Sequence, residues 1–355
     1  MGPLLDLPRE IAQQEYPLEG NNILDSADCL VYSSPIMRDN EPTSLQEAIV
    51  YFANPDNCHA YLVDRRWPDG IVTCPYCGSD NVSFQPKRRL FQCKECRPKG
   101  QFSIKVGTIF EDSAIGLDKW LCAMWMLANC KNGVSSWEIH RSIKVTQKSA
   151  WFMLQRLRLA LQDESGGQLS GHVEVDETYI GGKARNMHKN RKQRAKLSPT
   201  GMVGKVAVMG LLQRHGNVRT MVVPATTRAE LQPRVRRHVE EGSSLYTDSH
   251  PGYDEMESEY VRGVINHAER YVDGLVHTNG LENYWSLLKR GLKGTYISVE
   301  PFHLFRYLDE QSFRFNNRKT TDANRFDLAV SQIVGKRLTY AEVTGKDKDA
   351  RKKSC

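Results

Sequence analysis

Apolar residues recur along this chain with two different periods, and the change between them falls near residue 170. Before it the rhythm is helical. SLQEAIVYF from Ser44 and CHAYLVDRRW from Cys58 predict two short helices, the first capped by Thr43 or Ser44 with Glu47 completing a capping box. LDKWLCAMWMLANC is a helix-length apolar stretch ended by Asn132-Gly133. SSWEIHRSIKV and QKSAWFMLQRLRLALQ then predict two helices joined by a tight turn at Val145-Thr146. Beyond His172 the period shortens to that of strands: HVEVDETYIGG, GKVAVMGLLQRH and VRTMVVPA, with Gly216-Asn217 turning between the last two. An amphipathic helix (TRAELQPRVRRHVEE), a short buried strand (SSLYTD) and a further strand (GVINHAER) follow. Two more helices, NGLENYWSLLKRGL and PFHLFRYLDEQSFRFNNR, complete the patterned part of the chain.

Three strands, a helix, two strands and closing helices are the element order of an RNase H-like fold. The expected class is therefore α/β, a mixed five-stranded sheet with helices, preceded by a zinc ribbon and a helix-turn-helix-like domain. The expected boundaries are a poorly ordered extension over 1–42, a short helical segment over 43–70, the cysteine module over 71–107, the helix-turn-helix-like region over 108–165, the RNase H-like domain over 168–322 and a tail over 323–355. That tail holds one short apolar stretch, FDLAVSQIV, and a charged end.

Cysteine spacing adds the first chemistry. Cys74, Cys77, Cys93 and Cys96 form C-x₂-C-x₁₅-C-x₂-C, the pattern of a closed four-thiolate site for one structural Zn²⁺. Between the pairs, VSFQPKRRLFQC predicts a hairpin with Lys87 and Arg88 at its tip, where DNA or protein is the partner. The remaining five of the nine cysteines show no framework spacing, and no secretory signal is evident, so a reducing cytoplasmic compartment is expected. The apolar run around Trp120–Ala128 is too short to span a membrane.

Charge points to a polyanion. The net charge of +7 is modest, but no Asp or Glu occurs between Glu177 and Glu230. Lys183, Arg185, Lys189, Arg191 and Lys192 crowd the start of that gap, directly after the first strand, as a DNA-contacting loop would. In the helix-turn-helix reading Thr146 caps the second helix and Lys148 and Arg156 lie near phosphates. The plainer reading packs the same helices around Trp120, Trp125, Trp137 and Trp151, and both can hold together.

Three acids stand out: Asp176 in a strand that otherwise reads as core, Asp248 at the end of another, and Glu282 on a helix. Each has an ordinary explanation. Glu174 or Glu177 is an alternative to Asp176, Asp248 is placed to cap a turn, and Asn279-x-x-Glu282 fits a capping box. Taken together, three converging carboxylates can hold two metal ions for phosphodiester chemistry. Lys289, seven residues after Glu282 on the same helical edge, and neighbouring Arg290 suit phosphate. His250 and His277 lie beside the second and third acids, placed to touch phosphate or order a carboxylate, or else to serve in packing or capping. Arg314 and Arg318 face either DNA or Asp309 and Glu310.

VDETYIGGK, GKVAVMG, YTDSHPGY, HTNGLENYWSLLKRGLKGTY and RYLDEQSFRFNNR, in that order, resemble bacterial insertion-sequence transposases of the DDE superfamily. The similarity is to the branch with an N-terminal zinc ribbon, related to Merlin-type elements, and covers about residues 43–322. It implies an RNase H-like core with Asp176, Asp248 and Glu282 as ligands of two Mg²⁺ (or Mn²⁺), and Lys289 as the basic residue beyond the third acid. Asn279 is the alternative at the third position, where some members vary. It further implies double-stranded DNA partners, transposon ends and target, bound by a homodimer or larger assembly associated with the nucleoid. A nuclease that never joins DNA and a DNA-binding regulator with an inert core are the competing readings.

Overall fold

The computed structural model describes residues 41–96, 98, 100–162, 167–181, 205–265 and 277–346. Helices α1 (Leu45–Phe52) and α2 (Pro55–Arg66) open it. Ser44 caps α1 by accepting the Glu47 amide, and Glu47 reaches back to the amide and hydroxyl of Thr43, each at 2.7 Å. The predicted capping residues thus divide the work between two positions. Asn54 caps α2, with Pro55 in the first turn, where its missing N–H costs nothing.

Strands β1 (Val82–Gln85), β2 (Leu90–Cys93) and β3 (Gln101–Ser103) form a small antiparallel sheet in that order. The β1–β2 turn passes through Pro86–Arg88, and Arg89 adopts a left-handed conformation (φ 49°) to close it, leaving Lys87 and Arg88 exposed at the tip. Phe84, Phe91 and Phe102 face one another across the three strands, and His59 of α2 stacks on Phe84 and Phe91. The ribbon is therefore docked on α2 by an aromatic stack, not hung from a linker.

Helices α3 (Leu117–Asn129), α4 (Ser136–Ile143) and α5 (Gln147–Ala160) follow. Thr146 caps α5 as predicted, accepting the Ser149 amide at 3.1 Å. Two expectations for this region change. Arg156 is buried and donates to the Leu338 and Glu111 carbonyls, so it is a packing residue and does not face phosphate. Trp137 is 58% exposed, so the aromatic core here rests on Trp120 and Trp125. The C-terminal part of the chain explains the first change. Helix α9 (Asp322–Ser331) and helix α10 (Tyr340–Thr344) return to this region, and Tyr340 packs against Phe152 while the Lys148 ammonium lies 5.0 Å from its ring.

Residues 322–331 are accordingly no tail. Phe326 packs against Phe52, Tyr61 and Trp125, and Asp327 accepts from the Tyr61 hydroxyl at 2.8 Å and from Arg65 at 2.7 Å. One apolar core runs through α1, α2, the ribbon, α3–α5 and α9.

The second half is built on a five-stranded sheet: β4 (His172–Ile180), β5 (Val206–Gln213), β6 (Val218–Val223), β7 (Ser244–Asp248) and β8 (Val261–Ile265), in the order β6-β5-β4-β7-β8. β6, β5 and β4 pair antiparallel, while β4, β7 and β8 are parallel. Helix α6 (Arg228–His238) crosses from β6 to β7 and covers one face with Leu231 and Val235. Helices α7 (Asn279–Gly291) and α8 (Leu304–Asn316) cover the other through Leu281, Trp285, Leu288 and Leu308. This mixed sheet with helices on both faces is the RNase H-like arrangement. A buried ion network joins the halves: Arg158 of α5 donates to Glu310 of α8 at 2.6 Å, and Arg314 and the Tyr296 hydroxyl bind the same carboxylate. Arg314 is thus an ion-pair residue, and Arg318 folds back onto Phe315. No helix among the described residues is long and apolar enough to cross a membrane.

Candidate active site and four-cysteine centre

Parallel strands bring the first two acids together. The β4–β7 register pairs Glu174 with Tyr246, so Asp176 and Asp248 each stand two residues further on, Asp248 as the last residue of β7 and Asp176 beside it within β4. Crevices at such strand ends are where α/β sheets gather their sites. Asp248 does cap a turn, since its Oδ1 accepts the His250 amide at 3.0 Å, and that leaves Oδ2 for other work. His250 is itself a turn residue, its Nδ1 accepting the Gly252 amide.

Asp176 pairs across the sheet with Gly210 of β5. The Trp285 indole occupies the space over that glycine: a Cβ at Gly210 would lie 2.6 Å from a ring carbon. From there the indole Nε1 donates to Asp176 Oδ2 at 2.9 Å. Burial pushes the Asp176 carboxyl up. The Trp285 and Glu177 N–H groups pull it back, and the charges of Asp248 and Glu282 push it further up. Asp176 therefore feels both other acids. Their oxygens remain a loose cluster, because among the described residues only the four cysteines bring ligand atoms mutually within 4.8 Å.

Glu282 is exposed in the first turn of α7. The expected Asn279–Glu282 capping box is absent: Thr278 is the cap residue, it makes no side-chain cap bond, and the Glu282 amide donates to the Thr278 carbonyl. The Glu282 carboxylate is thus not engaged in capping its own helix. Of the neighbouring acids, Glu174 is buried and paired with Arg214. Glu177 is half-buried with its buried Oε1 unpartnered, and desolvation followed by the charges of Asp248 and Asp176 pushes it up to about 8. A carboxyl that close to two others, with one oxygen unpartnered, marks a locality rich in negative charge, which suits divalent cations.

Lys289 is half-buried on α7. Desolvation lowers its pKa, Asp176 opposes that, and Lys293 and Lys205 add to it. Lys293 and Lys205, which the sequence reading did not single out, thus stand near Lys289. Arg290, Lys87, Arg88 and Lys148 are exposed, with Lys148 over the Tyr340 ring. Lys183, Arg185, Lys189, Arg191 and Lys192 lie outside the described residues. Gly210 and Trp285 were also missed as site residues. The signal for Gly210 was present, since a glycine inside an apolar strand marks a close approach.

The cysteines meet as predicted. Sγ of Cys74 lies 3.9 Å from Sγ of Cys96, and Sγ of Cys77 lies 3.6 Å from Sγ of Cys93. A zinc–sulfur bond of about 2.3 Å in a tetrahedron requires sulfurs about 3.8 Å apart, so the donor set fits the ion. Desolvation pushes the Cys74 thiol up, but the amides of Tyr76 and Cys77 outweigh it and bring it down to about 7. Cys96 is pushed up to about 12, first by its hydrogen bond to Cys77. Four thiolates so close together need a cation between them.

Comparison with known proteins agrees with this geometry. Residues 168–316 match the ISXO2-like transposase domain, and residues 53–99 match the transposase zinc-ribbon domain. The chain is 30% identical over 244 residues to an uncharacterized protein in transposable element ISH50 of Halobacterium salinarum, covering 65% of this chain and 81% of that one. It is 36% identical over 101 residues to an uncharacterized transposase-like protein of Haemophilus influenzae, covering 28% of this chain and 81% of the relative. The chain belongs to the IS1595 family of DDE transposases that carry a zinc ribbon.

Proposed function

We propose that this transposase hydrolyses the phosphodiester at a transposon end and joins the freed 3′-hydroxyl to target DNA, with Asp176, Asp248 and Glu282 as the ligands of two Mg²⁺ or Mn²⁺ ions. The observation that carries the reading is the β4–β7 register that sets half-buried Asp176 beside Asp248, with the helix bearing Glu282 and Lys289 fastened to Asp176 through Trp285. When bound, the two ions supply nucleophile activation and stabilisation of the leaving oxygen. In the first step water forms a bond to phosphorus and the bond to the 3′-oxygen breaks, leaving a 3′-hydroxyl and a 5′-phosphate. In the second step that hydroxyl forms the new bond to a target phosphate and displaces the target's own 3′-oxygen. Trp285 holds Asp176 in orientation throughout, and Lys289, Lys293 and Lys205 neutralise the phosphates brought to the site.

Zn²⁺ held by the four cysteines keeps the ribbon folded, and its exposed Lys87 and Arg88 meet the DNA of the terminal inverted repeats. Lys148, Arg290 and the loop from Lys183 to Lys192 extend that contact. Paired ends call for a homodimer or larger assembly, working on nucleoid DNA in the cytoplasm. The test is strand transfer with pre-cleaved ends and Mg²⁺. Joined product is expected from the wild type and none from Asp176→Ala or Asp248→Ala. Activity surviving either substitution overturns the site assignment, and cleavage without joining identifies a nuclease.

A further inference from the structure

Glu174 stands two residues before Asp176 on the same face of β4 and is 1% exposed. Its Oε2 accepts the backbone amide of Leu281, in the first turn of α7, at 3.0 Å. Its Oε1 accepts Arg214 Nε at 2.9 Å and lies 3.4 Å from His277 Nδ1. Arg214 also donates to the His277 carbonyl at 2.7 Å, and its guanidinium lies over the Tyr246 ring at 4.2 Å. A carboxylate at a helix start meets the amides and partial positive charge found there. Since Thr278 makes no side-chain cap bond, Glu174 fills that place from the sheet. Gly280 makes room for it: a Cβ there would lie 2.7 Å from Glu174 Oε2.

Helix α7 is therefore fastened to β4 at two points, Glu174 to Leu281 and Asp176 to Trp285. Two strand residues span about 6.8 Å and four helical residues about 6.0 Å, so the two fastenings are commensurate. Glu282 directly follows Leu281. Arg214 neutralises Glu174, so the clasp adds little negative charge beside Asp176.

We propose that Glu174, backed by Arg214 and His277, is a positioning residue that sets where the Glu282 carboxylate stands relative to Asp176 and Asp248. This rests on the assignment of those three acids as metal ligands. Both Glu174 oxygens are engaged, so it acts through the helix and not on the ions.

The test is Mn²⁺ binding to the full-length protein, followed by the paramagnetic resonance of the free ion, beside the Mg²⁺ concentration giving half-maximal strand transfer. Glu174→Gln is expected to weaken both by about tenfold, the lower range for residues that orient metal ligands. Gly280→Ala keeps the Glu174–Arg214 pair but crowds the clasp, and is expected to act in the same direction. It serves as the reporter if Glu174→Gln does not fold. Val235→Ala, in the core of the opposite sheet face, is the control for destabilisation alone and should leave both quantities at wild-type values. Wild-type metal response in folded Glu174→Gln or Gly280→Ala overturns the clasp while leaving the acids assigned, provided Asp176→Ala abolishes Mn²⁺ binding. A wild-type protein that binds no Mn²⁺ overturns the assignment itself, and the clasp with it.

Discussion

At the scale of single residues the site depends as much on what is missing as on what is charged. Gly210 has no side chain, and the Trp285 indole takes up that space to reach Asp176. Gly210→Ala must displace the ring or the strand, at a cost of about 1–3 kcal/mol. The expected outcome is a lowered melting temperature with a larger loss of strand transfer, because the displaced ring no longer holds Asp176. Equal activity per folded molecule in Gly210→Ala would sink this account of the indole. Lys289 makes a different prediction, since its role is charge. Lys289→Ala should weaken binding to DNA of any sequence and lower the slope of log affinity against log salt by about 1. Fluorescence anisotropy over a range of KCl concentrations measures it, and an unchanged slope would remove Lys289 from the phosphate contacts.

At the scale of elements, local pattern and distant cover contribute unequally. The ribbon was legible because its ligands are fixed by spacing: two CxxC pairs on a short hairpin admit few other arrangements. The five strands were legible because a strand's period of two separates its faces, and with them the placing of Asp176 on the first sheet strand and of Asp248 at the end of the fourth. Helix α5 was only half legible. Its own sequence shows the cap at Thr146 and the apolar stripe, but what covers its outer face arrives from residues 338–340, far along the chain. Glu174 was weighed as an acid without its partners, since Arg214 and the Leu281 amide reach it only through sheet pairing and helix docking. Two measurements follow at this scale. Arg156→Met should lower thermal stability while leaving the salt dependence of DNA binding unchanged, because its donors go to carbonyls inside the protein. Cys93→Ser should reduce metal content from about one zinc per chain to near zero by elemental analysis. Because Phe91 and Phe102 belong to the same core as Trp120, that loss should loosen α3–α5 as well as the ribbon, seen as faster amide exchange in both.

At the scale of the whole molecule, one buried carboxylate stands at the joint between the helical half and the sheet half, where Phe313 of α8 also enters the helical core. Glu310 of α8 is fully buried and receives Arg158 from α5, Arg314 from its own helix and the Tyr296 hydroxyl from the turn after α7. Arg158 also stacks on Tyr307 and Tyr296, which supports the charge its remaining N–H groups carry. Burial pushes the Glu310 carboxyl up, but Arg314 and Arg158 outweigh it and hold it below the ordinary value of 4.5. A carboxyl held low stabilises the fold fully above its unfolded pKa and loses that contribution as pH falls through the folded value. The joint should therefore be intact at neutral pH and fail only on the acid side of 4.5. Glu310→Ala leaves two buried guanidinium groups without a counter-charge, an expected loss of about 3–5 kcal/mol. Adding Arg158→Met removes one of those charges, so the double variant should recover part of the loss. Urea denaturation of the wild type, Glu310→Ala, Arg158→Met and the double variant measures that coupling. An additive pair of substitutions would mean that the two halves are held together by their apolar contacts alone.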